Sequence, residues 1–399
     1  MGFNLQTLAR KNILTLQPYR CARDDFTEGI LLDANENTHG PSVAEGVTSN
    51  LEFNRYPDPH QVDFKQQFVD FRNSEAAIAN APVSNVGLAP LTPDNLCLGV
   101  GSDESIDALM RCFCHPGRDK LLICPPTYGM YDICATVNDI DIVRVPLFPD
   151  FSLNTEAIIT AVTSDPSIKL IYLTTPGNPT GKLLDFERSI APLLSLESWN
   201  GIVITDEAYV DFSPVGSSLS PLVTKYANLV VLQTLSKSFG LAGIRVGITF
   251  ADEAVSRILN NIKYPYNISC LSADIAIKAT TPQSIKLMRE KVNTIIGQRD
   301  VLVNELLAIK GVGKNIGGLD ANFVLLVIMS DESASAVPSN EVAQLLYTKL
   351  ATENAVVVRF RGKEIFCEGA LRVTVGTEAE NRTLVEKFRK VLGEIYASK

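Results

Sequence analysis

Histidine, tryptophan and positive charge are all scarce in this sequence. Its 399 residues include three histidines and one tryptophan, and the formal net charge is -9, with a pI near 5.1. The shortage of histidine disfavours a hydrolase built on a Ser-His-Asp or Cys-His arrangement. The acidic balance argues against a nucleic-acid or anionic-membrane partner, although a local basic pocket for a small anion remains compatible with it.

Long apolar runs are also missing. The longest, around residues 323–329, is far shorter than a bilayer requires, and residues 1–6 lack the apolar core of a signal peptide. A hydrophobic content of 46% is typical of a soluble globular chain, and the length allows more than one domain. These features predict a cytoplasmic protein.

The eight cysteines follow no repeating spacing. Several lie in apolar surroundings, which indicates reduced core residues and not a disulfide framework. Cys112, Cys114 and His115 form a small cluster, but no second ligand pair follows at a zinc-site spacing. The sequence therefore predicts no metal site.

From residue 96 to about residue 250, short apolar runs alternate with helical patterns. The predicted strands are 97–100, 121–124, 142–145, 169–174, 202–206, 229–234 and 245–250. This alternation predicts an α/β fold with a mainly parallel seven-stranded sheet and helices on both faces. Ligands of such sheets bind outside the carboxyl ends of the strands, so polar residues following those ends are the candidate site.

One strand end delivers a lysine. The apolar run 229–234 is followed by a turn containing Ser236, Lys237 and Gly240, and Arg245 lies eight positions beyond the lysine. An amine placed there can condense with an aldehyde while its neighbours hold an anion. A solvated surface lysine is the simpler interpretation. The residues at the end of a second predicted strand make that interpretation less favourable.

That second strand, 202–206, ends in Asp206, with Tyr209 in the following loop. A pyridoxal phosphate cofactor needs an amine, an acid opposite its ring nitrogen, donors to its ring oxygen and a cradle for its phosphate. Lys237, Asp206 and Tyr209 match the first three requirements. Ser236 and Arg245 match the fourth.

Further strand ends add candidates. Ser102 and Asp103 open a predicted helix whose free amides suit a phosphate, Tyr128 presents a ring able to lie on a planar cofactor, and Asn178 lies in a rigid proline-containing turn. A dinucleotide fingerprint is disfavoured because Glu104 replaces its third glycine. A nucleotide-phosphate loop at 177–182 is disfavoured because its glycines are one residue too close.

In order and spacing, three motifs resemble the fold-type I pyridoxal phosphate aminotransferases: Asn178-Pro179-Thr180-Gly181, Asp206-x-x-Tyr209, and Ser236-Lys237-x-x-Gly240 with Arg245. Within that superfamily the chain is similar to the histidinol-phosphate aminotransferases. The similarity is carried by Pro18-Tyr19, Asp33-Ala34-Asn35-Glu36, Arg55-Tyr56-Pro57-Asp58, Gly101-Ser102-Asp103-Glu104 and residues 371–377. An insertion near 75–95 looks fungal-like.

The resemblance implies a role for each candidate. Lys237 would hold the cofactor covalently and shuttle the proton, and Asp206 would hold the pyridinium. Asn178 and Tyr209 would donate to the ring oxygen, Tyr128 would stack on the ring, and Ser102, Asp103, Ser236 and Arg245 would surround the phosphate. Tyr56 would reach the phosphate of the partner subunit, which implies a homodimer. Arg359 and Arg372 would bind the substrate anion, with Tyr19 and Asn35 closing over it.

The implied reaction is a two-stage amino transfer from L-histidinol phosphate to 2-oxoglutarate, giving imidazole-acetol phosphate and glutamate in histidine biosynthesis. We expect an N-terminal arm with part of the small domain at 1–54, a large cofactor-binding domain at 55–270, and a smaller α+β domain at 271–399. An aromatic or broad-range aminotransferase, a phospho-amino-acid decarboxylase and a non-catalytic cofactor-binding regulator remain as alternatives.

Overall fold

The computed structural model describes residues 2–20, 25, 30, 32–42, 51–78, 81–83 and 87–398. Within them lies a seven-stranded sheet made of β1 (Leu96–Val100), β2 (Lys120–Ile123), β3 (Asp141–Arg144), β4 (Ile168–Thr174), β5 (Ile202–Asp206), β6 (Leu229–Thr234) and β7 (Val246–Ala251). All seven strands predicted from the sequence are therefore present, each within a residue or so of its expected bounds.

The strand order in this sheet is β1-β7-β6-β5-β4-β2-β3. Strands β2 to β6 run parallel, whereas β7 is antiparallel to both β6 and β1. Residues 235–245 connect β6 to β7, and so short a segment cannot make the crossover that a parallel neighbour needs. That short segment contains Lys237.

Alternate residues of the central strands enter two different hydrophobic cores. In β5, Ile202 and Ile204 belong to one core and Val203 to the other, and all three are fully buried. Because successive side chains of a strand point to opposite faces, the two cores lie on the two faces of the sheet. Burial on both faces explains why these strands are almost continuously apolar in the sequence.

Twelve α-helices lie within the described residues. They are α1 (Leu5–Leu8), α2 (Lys11–Leu14), α3 (Val62–Ala76), α4 (Gly101–Phe113), α5 (Met130–Val137), α6 (Thr155–Ser164), α7 (Ala191–Leu194), α8 (Glu253–Ile262), α9 (Cys270–Ala279), α10 (Pro282–Leu307), α11 (Asn340–Asn354) and α12 (Glu378–Ala397). The short helices α1 and α2 lie in the segment predicted to be an N-terminal arm. No helix in the described part of the chain has the length and apolar character needed to cross a membrane.

A second sheet has four antiparallel strands, β8 (Val312–Asn315), β9 (Phe323–Ile328), β10 (Arg359–Phe360) and β11 (Ala370–Thr374), in the order β10-β11-β9-β8. Its buried face packs with α10, α11 and α12 into a separate hydrophobic core. The sequence pattern of this part indicates neither strand β8 nor helix α12. All four strands of the small sheet lie within residues 271–399.

Two other sequence predictions concern cysteines and the 75–95 insertion. The seven cysteines in the described residues are free, and six of them are buried. Helix α3 continues to Ala76, and the buried side chains of Val83 and Leu91 anchor the segment that follows. Residues 79–80 and 84–86 of the insertion lie outside the described residues.

Candidate active site

A pocket of about 420 Å³ lies at the carboxyl ends of β4, β5 and β6. It combines side chains of the large sheet with arginines of the small sheet. The lining residues are Ser102, Asp103, Tyr128, Thr174, Asn178, Asp206, Ala208, Tyr209, Thr234, Ser236, Lys237, Ala242, Arg245, Arg359, Arg361 and Arg372. The pocket therefore brings together residues that the sequence places on separate strand ends.

Lys237 lies in the turn after β6. The turn is closed by the amide of Gly240, which donates to the carbonyl of Lys237 at 3.1 Å, and Gly240 has a φ of +67°, which favours glycine. The Lys237 ammonium lies 5.6 Å from the centroid of the Tyr209 ring. Partial burial, together with the charges of Arg372 and Arg245, lowers the pKa of Lys237, which favours the neutral, nucleophilic amine.

Asp206 is the last residue of β5 and is buried. Its carboxylate accepts hydrogen bonds from the Tyr131 hydroxyl at 2.9 Å and from the Ala208 amide at 3.2 Å. Burial raises the pKa of Asp206 to about 6, although both hydrogen bonds lower it. A buried carboxylate of this kind is suited to a cationic partner, such as a protonated ring nitrogen.

Tyr131 was not predicted as a site residue. It is fully buried in the first turn of α5, and its hydroxyl also shares a hydrogen bond of 2.9 Å with the Thr174 hydroxyl at the end of β4. It follows Tyr128 by three positions, across the start of α5, and the two rings pack edge to face with centroids 5.7 Å apart. That spacing is the signal by which the sequence could have indicated it.

The expected anion cradle is formed where β7 and α4 meet. Ser102 and Asp103 lie in the first turn of α4, and the Arg245 guanidinium lies 3.6 Å from the Asp103 carboxylate. Arg245 has a left-handed φ of +53°. Gly101 has a φ of +74°, which favours glycine, and a Cβ there would also crowd the Arg245 guanidinium. The helix N-terminus and the guanidinium together suit a phosphate.

Ser236 completes this side of the pocket. Its hydroxyl accepts from the Thr234 hydroxyl at 2.8 Å, and the Ser236 amide donates to that same Thr234 oxygen at 3.2 Å. These contacts fix the backbone directly before Lys237. The Tyr128 hydroxyl donates to the Asp103 carboxylate at 3.1 Å and so holds its ring over the pocket.

The small sheet contributes the positive wall of the pocket. Arg359 of β10 pairs directly with Arg372 of β11. The Arg372 guanidinium donates to the Asn178 side-chain oxygen and lies 5.2 Å from the centroid of the Phe323 ring. Arg361 also lines the pocket and was not predicted; it follows Arg359 by two positions, the spacing of residues on one face of a strand.

A buried ionic network lies next to the turn that contains Lys237. The Arg72 guanidinium lies 2.8 Å from both Glu75 and Asp211, and the Asp211 carboxylate accepts from the hydroxyl of Ser238, which follows Lys237. Burial raises the pKa of Asp211, but Arg72 and Arg289 outweigh it and lower that pKa to about 2. The network ties the Lys237 turn to α3, and nothing in the local sequence pattern indicated it.

Three predicted site residues lie outside the pocket of this single chain. Tyr56 is 52% exposed and stacks on Tyr266, with ring centroids 4.6 Å apart. Tyr19 is 70% exposed, and Asn35 is exposed with a φ of +55°. The remaining predicted residues all line the pocket.

Comparison with known proteins defines the class to which this fold and pocket belong. Residues 27–388 match the family model for aminotransferases of class I and II, so the chain belongs to that family. Aminotransferases of this class depend on pyridoxal 5'-phosphate.

Full-length relatives narrow the assignment to the histidinol-phosphate aminotransferases, as the sequence motifs predicted. The histidinol-phosphate aminotransferase of Candida maltosa is 56% identical over 98% of this chain and 99% of its own length. The enzyme of the same name from Schizosaccharomyces pombe is 51% identical over the whole of both chains. Both relatives are fungal, in agreement with the fungal-like character of the sequence.

Solved structures agree on the fold. The histidinol-phosphate aminotransferase of Sinorhizobium meliloti, determined with pyridoxal 5'-phosphate, superposes with a TM-score of 0.72 at 20% identity. The match covers 91% of this chain and 90% of that one. At this identity the likeness concerns the fold, which is the mainly parallel seven-stranded α/β architecture that the sequence predicted.

Proposed function

We propose that this chain transfers the amino group of L-histidinol phosphate to 2-oxoglutarate, giving imidazole-acetol phosphate and glutamate in histidine biosynthesis. The observation that carries the proposal is the pocket itself. It contains an amine with a lowered pKa, a buried carboxylate and clustered arginines at the meeting point of two sheets. Full-length similarity to enzymes named for this reaction supports the choice of substrate.

The donor set of the pocket fits pyridoxal 5'-phosphate. Lys237 would hold the aldehyde carbon, and Asp206 would hold the ring nitrogen. Asn178 and Tyr209 would donate to the ring oxygen, and Tyr128 would cover the ring. The phosphate would be held by Ser102, Asp103, Ser236 and Arg245, the first two through their amides. When bound, this cofactor supplies an aldehyde that condenses with amines and a ring that accepts the electrons of a broken C–H bond.

The side chains supply the proton chemistry. Because its pKa is lowered, Lys237 Nζ can accept the proton from the substrate carbon and return it to the other reacting carbon. The Asp206 carboxylate is held by Tyr131 and Ala208, and it would keep a proton on the ring nitrogen of the bound cofactor. The hydrogen bond from Ser238 to Asp211 orients the turn that contains Lys237. Asp211 itself would not contact the reacting atoms.

The pocket arginines of the small sheet would allow one pocket to bind both substrates. Each carries an anion distant from the reacting carbon, a phosphate in histidinol phosphate and a carboxylate in 2-oxoglutarate. Guanidinium groups bind both anions through paired hydrogen bonds, so Arg359 and Arg372 would hold either one. Tyr19 and Asn35 would close over the bound substrate from the N-terminal segment.

We also propose a homodimer in which Tyr56 completes the cofactor site of the partner subunit. The exposure of Tyr56 outside its own pocket supports this arrangement. Mixing a Tyr56→Ala protein with a Lys237→Ala protein should restore activity, since one site of the mixed dimer would then contain both native side chains. Two inactive proteins that stay inactive after subunit exchange would contradict it.

The domain boundaries at 54/55 and 270/271 and a cytoplasmic location are part of the same proposal. Strands β1 to β7 fall within 55–270, and β8 to β11 fall within 271–399. The free, buried cysteines of the described residues suit a reducing compartment.

Titration of the holoenzyme with single amines tests the substrate. Without an amino acceptor present, histidinol phosphate should change the absorbance of the bound cofactor at lower concentration than phenylalanine or tyrosine does. A response to the aromatic amino acids alone would replace the proposed substrate by an aromatic one. Carbon dioxide release from a phospho-amino acid would instead indicate a decarboxylase.

A further inference from the structure

Three arginines share one face of the β10–β11 pair. Arg359 and Arg372 are register partners, and the amide of Arg361 continues the ladder by donating to the Ala370 carbonyl at 2.8 Å. Side chains two positions apart on an extended chain point the same way, and Phe360 between them packs towards the small-sheet core. All three guanidinium groups therefore line the pocket.

Arg361 differs from the other two because it has an acidic partner. Its Nη1 donates to Glu364 Oε1 at 2.8 Å, and both side chains are largely buried, with 21% and 25% exposed. The Nε of Arg361 and the Oε2 of Glu364 are buried without a hydrogen-bond partner among the described residues. The pair thus makes one hydrogen bond where a guanidinium and a carboxylate can make two.

The charge of the two substrates differs at the distal end. A phosphate ester is close to doubly charged at neutral pH, whereas a carboxylate carries a single charge. Arg359 and Arg372 can pair with the two oxygens of a carboxylate. A third guanidinium adds an electrostatic attraction that is larger for a doubly charged phosphate than for a singly charged carboxylate. Glu364 cancels part of the charge of Arg361, which limits the surplus positive charge when a single carboxylate group of a dicarboxylate occupies this subsite.

We propose that Arg361 is a specificity-determining residue that favours the phosphate substrate over the carboxylate substrate, with Glu364 as its charge-balancing partner. This inference rests on the proposed function, because that function requires one pocket to accept both anions. In the structural alternative, the ion pair of Arg361 and Glu364 stabilises the turn between these two residues and has no effect on the choice of substrate. The two interpretations predict opposite signs for a change at Glu364.

The test uses the holoenzyme and two unreactive anions, glycerol 3-phosphate and glutarate, as competitive inhibitors of amino transfer. In Arg361→Gln, glycerol 3-phosphate should inhibit about tenfold more weakly, since a lost hydrogen bond to a charged group has an effect of that order. Inhibition by glutarate should change by less than about threefold. Arg361→Lys should give a smaller loss, again confined to the phosphate, and it serves if the glutamine variant folds poorly.

Glu364→Gln should change inhibition by glycerol 3-phosphate in the direction opposite to Arg361→Gln. The glutamine can still accept a hydrogen bond from Arg361 but no longer cancels its charge, so glycerol 3-phosphate should inhibit about threefold more strongly. Arg382→Gln is the matched control, because Arg382 makes a 2.8 Å ion pair with Glu378 on the exposed surface of α12. Neither inhibitor should respond to that change.

Equal weakening of both inhibitors in Arg361→Gln, or no change in either, would overturn the proposal. Weakening in Glu364→Gln of the same size as in Arg361→Gln would establish the structural alternative instead. The comparison does not depend on the amine donor used. If the enzyme acts on tyrosine and rejects histidinol phosphate, the proposed function fails, and the inhibitor ratio still decides the role of Arg361.

Discussion

The two walls of the pocket are built in different ways. On the large-sheet wall, Asp206 and Lys237 follow buried parallel strands, and hydrogen bonds from Tyr131 and a tight turn fix them. On the small-sheet wall, Arg359 lies in a strand of two residues and is exposed, and Arg361 follows directly after that strand. The first wall is a preformed site for a bound group, whereas the second is an accumulation of positive charge.

This difference assigns different tasks to the two walls. A cofactor that stays bound through every reaction cycle needs fixed partners, because reorganisation at the reacting centre slows the chemistry. Substrates that alternate need an anion site that accepts more than one shape. Changes on the large-sheet wall should therefore act mainly on cofactor attachment and chemistry, and changes on the small-sheet wall mainly on substrate affinity.

The largest effect is expected for Lys237→Ala on the large-sheet wall. Loss of the group that moves the proton should lower kcat by about 10²- to 10⁴-fold. Steady-state assays of the purified protein measure this directly. Lys225→Ala is the control, since Lys225 lies against the Tyr226 ring and does not line the pocket. A loss of less than tenfold in the Lys237 variant would remove the lysine from its proposed role.

Asp206→Asn tests the large-sheet wall through the pH dependence of the free energy of unfolding. The folded-state pKa of about 6 lies above the ordinary value of 3.8, so folding favours the protonated acid. The resulting stabilisation is present below pH 4 and is lost as the pH rises through 6. At pH 7 the buried carboxylate then costs about 3 kcal/mol in the cofactor-free protein.

The asparagine variant lacks this cost. Its cofactor-free form should be more stable than the wild type at pH 7 by up to about 3 kcal/mol, with the difference closing towards pH 4. Urea unfolding at both pH values measures the change. The same variant should bind the cofactor more weakly, because it has lost the partner of the ring nitrogen. A wild type that gains stability over the variant between pH 4 and pH 7 would contradict the burial argument.

Arg372→Gln tests the small-sheet wall. Loss of a charged hydrogen-bond donor should lower kcat/KM for histidinol phosphate by about thirtyfold, corresponding to about 2 kcal/mol. The absorbance of the bound cofactor should be retained. If the variant loses its cofactor together with its substrate affinity, the separation of the two walls is wrong.

The smallest effect is expected for Tyr128→Phe. The change keeps the ring and removes the hydroxyl that donates to Asp103 at 3.1 Å. A single such hydrogen bond contributes about 1 kcal/mol, so activity should fall by no more than about fivefold. Tyr128→Ala, which also removes the ring, should cost clearly more. Equal losses in the two variants would show that the hydroxyl, and not the ring, is the functional part.

The difference between the two sheets also explains which elements could be predicted from the sequence. The strands of the large sheet were predictable because burial on both faces makes them continuously apolar, and their ends bring Asp206 and Lys237 together by topology alone. Strand β8 was not, because only Val312 of its four residues is buried. A short polar strand carries no period that distinguishes it from a loop.

Contacts between distant segments were beyond the reach of sequence patterns. The hydrogen bond between Tyr131 and Asp206 and the ionic network around Asp211 depend on how helices pack against the sheet. Arg361 is an intermediate case, since its two-residue spacing from Arg359 was visible but its orientation depended on the pairing with β11. The predicted roles of Tyr19, Asn35 and Tyr56 concern residues that a single chain leaves outside the pocket.

Borohydride reduction followed by peptide mapping, applied in parallel to the wild type and to Arg372→Gln, separates the functions of the two walls. We expect the cofactor to be fixed to a single peptide in both proteins, with Lys237 as the modified residue. Attachment at another lysine, or loss of attachment in the arginine variant, would contradict a pocket in which the large sheet holds the cofactor and the small sheet holds the substrate.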